Sequence, residues 1–236
     1  VLASCVFYAC WDWRFLAPLL CTTSLDYWIS TQLENSQDPA KRKKLVTISV
    51  IANLALLGFF KYCNFFVQSM QAALIQLGFH PDLQTLNIVL PVAISFYTFQ
   101  ALSYTIDVYR GELHPTRSFW DFFLAVLYFP HLVAGPIQRA SLLLPQVVNP
   151  RKFNPQQVIE GLHLMAWGFF KKVYIADNLS PVVDRVFSSP NPTGGETLIG
   201  VLAFTFQIYG DFSGYTDIAR RIAKLMGFEF TLIFNL

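Results

Sequence analysis

Residues 45–60 carry no charged side chain, and they are bracketed by Lys41-Arg42-Lys43-Lys44 on one side and Lys61 on the other. As a helix this run is about 24 Å long, most of the thickness of a bilayer's hydrocarbon core. The flanking lysine stems can snorkel to the headgroups. A chain built around such a segment uses lipid as part of its solvent, and in lipid only helices and closed barrels satisfy the backbone. Residues 86–106 are a second charge-free run, about 30 Å as helix, and read as a second span. Residues 15–29 and 119–134 read as further spans, each broken near its ends by proline or an acid. Residues 67–79 are shorter and carry Gln68, Gln71 and Gln76, which suits an interfacial or partly inserted helix as well as a span.

Composition agrees: 54% of the residues are hydrophobic and 14% charged, far from the balance of an ordinary soluble domain. The 16% aromatic content supplies interfacial anchors. A net charge of +2 gives no footprint for nucleic acid. Cys5, Cys10, Cys21 and Cys63 are scattered through apolar stretches without metal-ligand or disulfide-scaffold spacing, and read as small core residues. No metal site is expected. The expected architecture is all-α, a polytopic membrane protein with tilted, partial and interfacial helices, residues 1–236 forming one membrane-embedded domain. With Val1 rather than Met at the start and no tail after Leu236, the chain reads as a piece of a longer protein, cut at both ends.

Farther along, Asn154-Pro155-Gln156-Gln157 has the cap, first-position proline and third-position glutamine of a helix start. The uncharged part of that helix, 161–170, is too short to cross hydrocarbon. Lys171 and Lys172 must therefore find water or protein, so a tilted or protein-covered helix is expected. The last apolar run, 197–210, reaches only about 21 Å before Asp211 arrives. The positive-inside rule puts 41–44 in the cytoplasm, yet the loop with Arg139, Arg151 and Lys152 is also basic, so charge alone does not fix the topology.

Two polar faces follow. On a helix over 86–106, Asn87, Pro91, Ser95, Thr98 and Thr105 fall within one wedge, and Pro91 would kink the helix or mark a re-entrant segment. This face either lines a polar passage or hydrogen-bonds a neighbouring helix. Gln207, Asp211 and Gly214 share a second face, continued by Ile218 and Arg221. Asp211 is then either a functional carboxylate at membrane depth or an interfacial acid, with Asp217 pairing Arg220 or Arg221 in an ordinary helix-end bridge. His131, before a Gly135-Pro136 turn, can act as a base or as a structural hydrogen-bonder, and His163 carries the same two readings. His80 and His114 precede prolines and read as loop residues. Nucleophile-elbow, P-loop, dinucleotide and zinc-protease motifs are missing from the sequence.

The residues themselves resemble a known family. The run from Pro91 to Gln100, then Tyr104-Thr105-Ile106-Asp107-Val108-Tyr109-Arg110, is similar to a signature of bacterial membrane-bound O-acyltransferases of the alginate O-acetylation type. Further blocks follow in order: Phe129-Pro130-His131-Leu132-Val133-Ala134-Gly135-Pro136-Ile137, Gly168-Phe169-Phe170-Lys171-Lys172-Val173 with Ala176-Asp177-Asn178, and the run from Gln207 to Ala219 around Asp211-Phe212-Ser213-Gly214-Tyr215. The resemblance implies a multi-pass enzyme of the bacterial cytoplasmic (inner) membrane that moves an acyl group, commonly acetyl, onto hydroxyls of an exported polysaccharide or cell-wall polymer. It implies no bound cofactor, an acyl donor such as acetyl-CoA or another acyl thioester as co-substrate, membrane lipid as surroundings, and partner acetylation proteins.

The family's catalytic histidine lies in a Trp-His motif beyond the Asp-Phe-Ser-Gly-Tyr block, past Leu236, so no residue here inherits that role and this piece alone is expected to be inactive. Position 131 is commonly Gln in such sequences, which makes His131 a variant rather than the base. Ile233 stands where the family has Asn. The residues expected to line the acyl-transfer passage are Asn87, Ser95, Thr98, Thr105, Gln207, Asp211 and Ser213. Without the resemblance, the same polar faces would suit a transporter or flippase, or a non-catalytic scaffold of a polymer-export complex.

Overall fold

A computed structural model describes residues 1–79, 89–132, 135, 138–150 and 155–230. All regular structure among them is helical, and it divides into two compact units: Val1–Phe129 with Arg139–Leu144, and Pro130–Gln138 with Pro145–Leu236.

The first unit opens with α1 (Leu2–Asp12), which ends where the Asp12 carboxylate accepts hydrogen bonds from the Arg14 backbone N–H at 3.0 Å and from its guanidinium at 2.6 Å. A short 3₁₀ turn leads into α2 (Leu16–Glu34). Asp38 then caps α3 (Pro39–Gln76) by accepting from the Ala40 N–H, with proline in the first turn. At 38 residues α3 is about 57 Å long, and it is the one described helix long and apolar enough to cross a membrane. Lys61 does not stop it. Residues 67–76 continue α3, so neither a separate interfacial helix nor a separate span begins there.

Within the tetrabasic cluster Arg42 faces inward. Its guanidinium donates to the carbonyls of Leu33, of Ser36 at 3.3 Å and of Tyr109 at 2.8 Å. These carbonyls lie at the C-terminal ends of α2 and α4, where helices leave acceptors without partners.

The expected span over 86–106 is also corrected. Helix α4 covers Ile94–Arg110, preceded by Ala93 at φ 63° in the left-handed region, and Pro91 lies ahead of the helix instead of kinking it. Residues 86–88 fall outside the described residues. Gly111, at φ 75°, ends α4 in a left-handed cap whose N–H meets the Val108 carbonyl. The run 119–134 is not one span either. Helix α5 (Phe119–Leu127), capped by Ser118, stops at Tyr128, and a single turn, α6 (Phe129–Leu132), follows. Tyr128 is extended, at ψ 109°, and Pro130 lacks the N–H needed to continue α5.

Helix α7 (Ala140–Val148) begins in the first unit and ends in the second, where α8 (Pro155–Phe169) follows; the start of α8 matches the expected one, although Asn154 lies outside the described residues. Helix α8 passes without interruption into a π-helical segment, Phe170–Ala176, and on into α9 (Asp177–Phe187). Helix α10 (Gly194–Leu225) starts at a capping box: the Thr193 hydroxyl receives the Glu196 N–H at 3.3 Å while the Glu196 carboxylate accepts the Thr193 N–H at 2.8 Å. It runs antiparallel along α9, the π segment and α8, because Gly200 abuts Val186, Gly210 abuts Lys171 and Ala176, Gly214 abuts Gly168, and Gly161 meets Leu225.

Large apolar side chains cover the outside. Ile48, Ile51, Leu54, Phe59, Phe65 and Phe66 of α3, and Leu198, Ile199, Leu202, Phe204, Phe206 and Ile208 of α10, are all exposed. Continuous apolar helix faces of this kind suit contact with lipid. The cysteines are not core residues: all four are free thiols, with Cys10 and Cys21 exposed and Cys5 and Cys63 half-buried.

Candidate functional site

In the second unit, two adjacent lysines meet three carboxylates. Lys171, whose side chain is 5% exposed, donates to Ser213 Oγ at 2.5 Å and lies 2.5 Å from Asp217 Oδ2. Lys172 bridges Asp177 Oδ1 at 2.7 Å and Asp211 Oδ1 at 2.8 Å, in a more open setting. An ammonium in apolar surroundings costs several kcal/mol unless a counter-charge and hydrogen bonds compensate it. Here α10 supplies both to Lys171, which is covered by protein, while Lys172 stays half-exposed between Asp177 and Asp211.

Backbone geometry brings the groups together. A π turn bonds i to i+5 and holds more residues than an α turn, so consecutive side chains diverge less around the axis, and Lys171 and Lys172 can both turn toward α10. The helices approach closely because Gly210 and Gly214 form a small-xxx-small pair. A Cβ at Gly214 would sit 2.7 Å from the Gly168 carbonyl oxygen and 2.9 Å from the Lys172 nitrogen. One at Gly210 would sit 3.1 Å from the Lys171 carbonyl oxygen. Serine and aspartate at 213 and 217 can therefore reach a lysine that a bulkier helix face would hold off.

The helix-end reading of Asp217 is thus revised, since its carboxylate faces Lys171 on the π segment. Asp211 is exposed and paired with Lys172, and Ser213 is fully buried. Gln207 is half-buried, with its side-chain carbonyl oxygen enclosed and lacking a hydrogen-bond donor. All three lie on α10, where Ser213 faces Lys171 and Asp211 pairs with Lys172. The chemistry they offer is a set of fixed dipoles and charges: a serine hydroxyl accepting from an ammonium is held in place, with no base beside it to make it a nucleophile.

The other expected face belongs to the first unit. Asn87 lies outside the described residues. Ser95 is half-buried on α4, Thr98 is fully buried with its hydroxyl unpartnered, and Thr105 is fully buried, donating to the Ala101 carbonyl at 3.3 Å and receiving Ser30 Oγ at 3.4 Å. Thr105 thus joins α4 to α2. His131 is buried in α6 of the second unit, its ring edge-on to Phe230 at 5.4 Å. No group of three or more metal-ligating side chains occurs among the described residues.

Sequence reasoning missed Asp26. It is fully buried on α2, accepting from Ser49 Oγ at 2.5 Å and Asn53 Nδ2 at 2.8 Å, both on α3. The usable signal was spacing: Ser49 and Asn53 lie four apart on the charge-free run, and Asp26 and Ser30 four apart on α2, so each pair shares a helix face.

No family model matches the chain. Over 99% of its length it is 42% identical to a probable alginate O-acetylase of Azotobacter vinelandii, of which it covers 46%. Over its full length it is 32% identical to a peptidoglycan O-acetyltransferase of Helicobacter pylori, covering 49% of that protein. Across 61% of its length it is 28% identical to a teichoic acid D-alanyltransferase of Lacticaseibacillus rhamnosus. The chain spans a little under half the length of the O-acetylases it matches. The similarity to the alginate O-acetylases runs nearly from end to end of this chain, and so takes in both the α4 segment and the segments that carry the lysine–carboxylate cluster.

Proposed function

We propose that the intact protein is a membrane O-acyltransferase, most simply an O-acetyltransferase, that esterifies hydroxyls of an exported polysaccharide or cell-wall polymer in the bacterial inner membrane. The observation that carries this reading is the breadth of the similarity: relatives named for alginate and for peptidoglycan share O-acetyl transfer and differ in polymer. The donor is an acyl thioester such as acetyl-CoA, and partner acetylation proteins hand on or receive the acyl group.

Acyl transfer needs a base beside the acceptor hydroxyl, a thioester carbonyl within attack distance and dipoles facing the developing oxyanion. Residues 1–236, read as part of one membrane-embedded domain, contribute polar walls and fixed charge, through Ser95, Thr98 and Thr105 in the first unit and through Gln207, Asp211 and Ser213 in the second. None of these residues is proposed as the base.

The test uses the full-length protein in a host that makes the polymer, with ester-linked acetyl released by mild base and counted. Polymer from the wild-type strain should carry acetyl and polymer from the deletion strain should not. Asp211→Asn should lower the count at equal protein abundance. Unchanged acetylation on deletion would remove the functional assignment, and a fully active, normally folded Asp211→Asn protein would remove Asp211 from the passage.

A further inference from the structure

Between α2, α3 and α4 lies a small polar cluster closed off from the surface: Asp26, Ser30, Ser49, Asn53 and Thr105 are each 0% exposed. We propose that Asp26 is a proton-binding site, held in the folded protein as the neutral acid and joining α2 to α3 and α4 only while it keeps its proton.

The hydrogens that the cluster can donate are already spent. The Ser49 hydroxyl goes to Asp26 Oδ1 at 2.5 Å, and the Asn53 amide to Asp26 Oδ2 at 2.8 Å and to the Ser49 carbonyl at 3.0 Å. Ser30 donates to Thr105 at 3.4 Å, and the Thr105 hydroxyl serves the Ala101 carbonyl at 3.3 Å and lies beside Asp26. Asn53 Oδ1 is left enclosed with no donor. Enclosed polar atoms are nearly always paired, and a buried carboxylate with no cation takes up a proton rather than stay charged. Counted by donors or by charge, the cluster is one positive group short.

No charged side chain makes up the difference. On α3, Arg42 stands seven residues before Ser49, about 10 Å along the helix, with its guanidinium on the carbonyls of Leu33, Ser36 and Tyr109. Lys43, Lys44 and Lys61 are exposed. Asp107 of α4 and Asp121 of α5 are themselves acids, and Arg110 faces Glu112. Glu34, at the end of α2, pairs with His114, and Asp12 pairs with Arg14 ahead of α2.

The contacts on both carboxyl oxygens are too close to admit a metal ion between the partners, whereas a proton needs no added room. With the proton on Oδ1, Asp26 donates to Ser49 Oγ across the same contact, and the serine hydrogen passes to an acceptor that still lacks one. Loss of the proton would leave a bare charge among three helices. None of this rests on the acyl-transfer reading.

The experiment uses the full-length protein in zwitterionic nanodiscs, as wild type and as Asp26→Asn, which has the size of the neutral acid. The infrared spectrum of wild type at neutral pH should show a carboxylic-acid carbonyl band, shifted in heavy water, that Asp26→Asn lacks. A proton held by the folded chain and released on unfolding makes stability fall as pH rises. The ratio of folding constants, wild type over Asp26→Asn, should therefore drop by up to about tenfold per pH unit above the range in which unfolded carboxyls ionise. The drop should stop where the folded protein gives up the proton. No difference in the acid band, or a ratio that is flat or rises with pH, overturns the proposal. A wild-type melting midpoint that climbs when sodium replaces choline, with Asp26→Asn unmoved, also overturns it. If Asp26→Asn does not fold, Ser49→Ala decides: the acid band should move as its O–H loses its acceptor, and an unmoved band overturns the assignment.

Discussion

Each unit sets a carboxyl group between helices, fully buried in the first and half-buried in the second, and each compensates it differently. Asp26 in the first unit is surrounded by neutral groups, Ser49 and Asn53 of α3 and Thr105 of α4. Asp217 in the second unit faces a lysine, and the contact depends on a π turn and on glycines that let two helices close up. A neutral cage loses one hydrogen bond at a time when it is altered. An ion pair in apolar surroundings fails as a whole, because removing one partner strands the other's charge.

The sharpest way to break this contrast is Lys171→Met. With Asp217 left half-buried and unpaired, the full-length protein should lose at most about 3–5 kcal/mol of stability, read as a fall in its thermal midpoint in detergent. Lys171→Met/Asp217→Leu should recover much of that loss, and a double variant no better than the single one would remove the ion pair from the explanation.

Gly214→Ala comes next. Its new Cβ would sit 2.7 Å from a backbone oxygen, where no side chain can move aside, and overpacking of this kind costs about 1–3 kcal/mol. The same change at Gly58, which faces open space, should be neutral or slightly stabilising in the same melting experiment.

On the first unit, Asp26→Asn keeps a hydrogen-bonding group in the cage and should cost only about 1 kcal/mol, roughly one hydrogen bond. Asp26→Leu strands the Ser49 and Asn53 donors and should cost more. Equal losses for the two Asp26 variants would contradict the neutral-cage description.

The smallest effect is expected at the cap of α10. The Thr193 backbone N–H, and then its hydroxyl, hold the Glu196 carboxyl below the usual carboxylate range. The cap's contribution is complete above the unfolded carboxyl's value and disappears as pH falls through the lower folded one. Hydrogen exchange at the first turn of α10 should accelerate in that acidic window, and Glu196→Gln should flatten the response.

Much of this was legible in the sequence. The charge-free run marked α3, and the short uncharged stretch before Lys171 required a protein partner, which Ser213 and Asp217 supply. What periodicity could not deliver was the start of α4, because Pro91 is compatible with a kinked helix as well as with a stop, and the left-handed Ala93 leaves no compositional trace. Likewise, Lys61 could have ended α3 at a membrane surface, yet lysine is a good helix former and the helix runs on. Asp26 escaped notice because a lone acid inside an apolar run looks like an interruption until its donors on another helix are known. The pairing of Lys171 with Asp217 spans 46 positions of sequence, and no local pattern reports it.

The π segment also makes this region sensitive to chain length. An extra residue per turn is an insertion absorbed without a loop, so deleting one residue between 170 and 176 could restore α-helical bonding and leave the rod from α8 to α9 unbroken. Every side chain beyond the deletion would then be turned by about 100°, carrying Asp177 away from Lys172 and Val183 out of the groove beneath α10. A gap of one residue in this stretch of a relative would therefore mark a change in what faces α10, even where every other residue is retained.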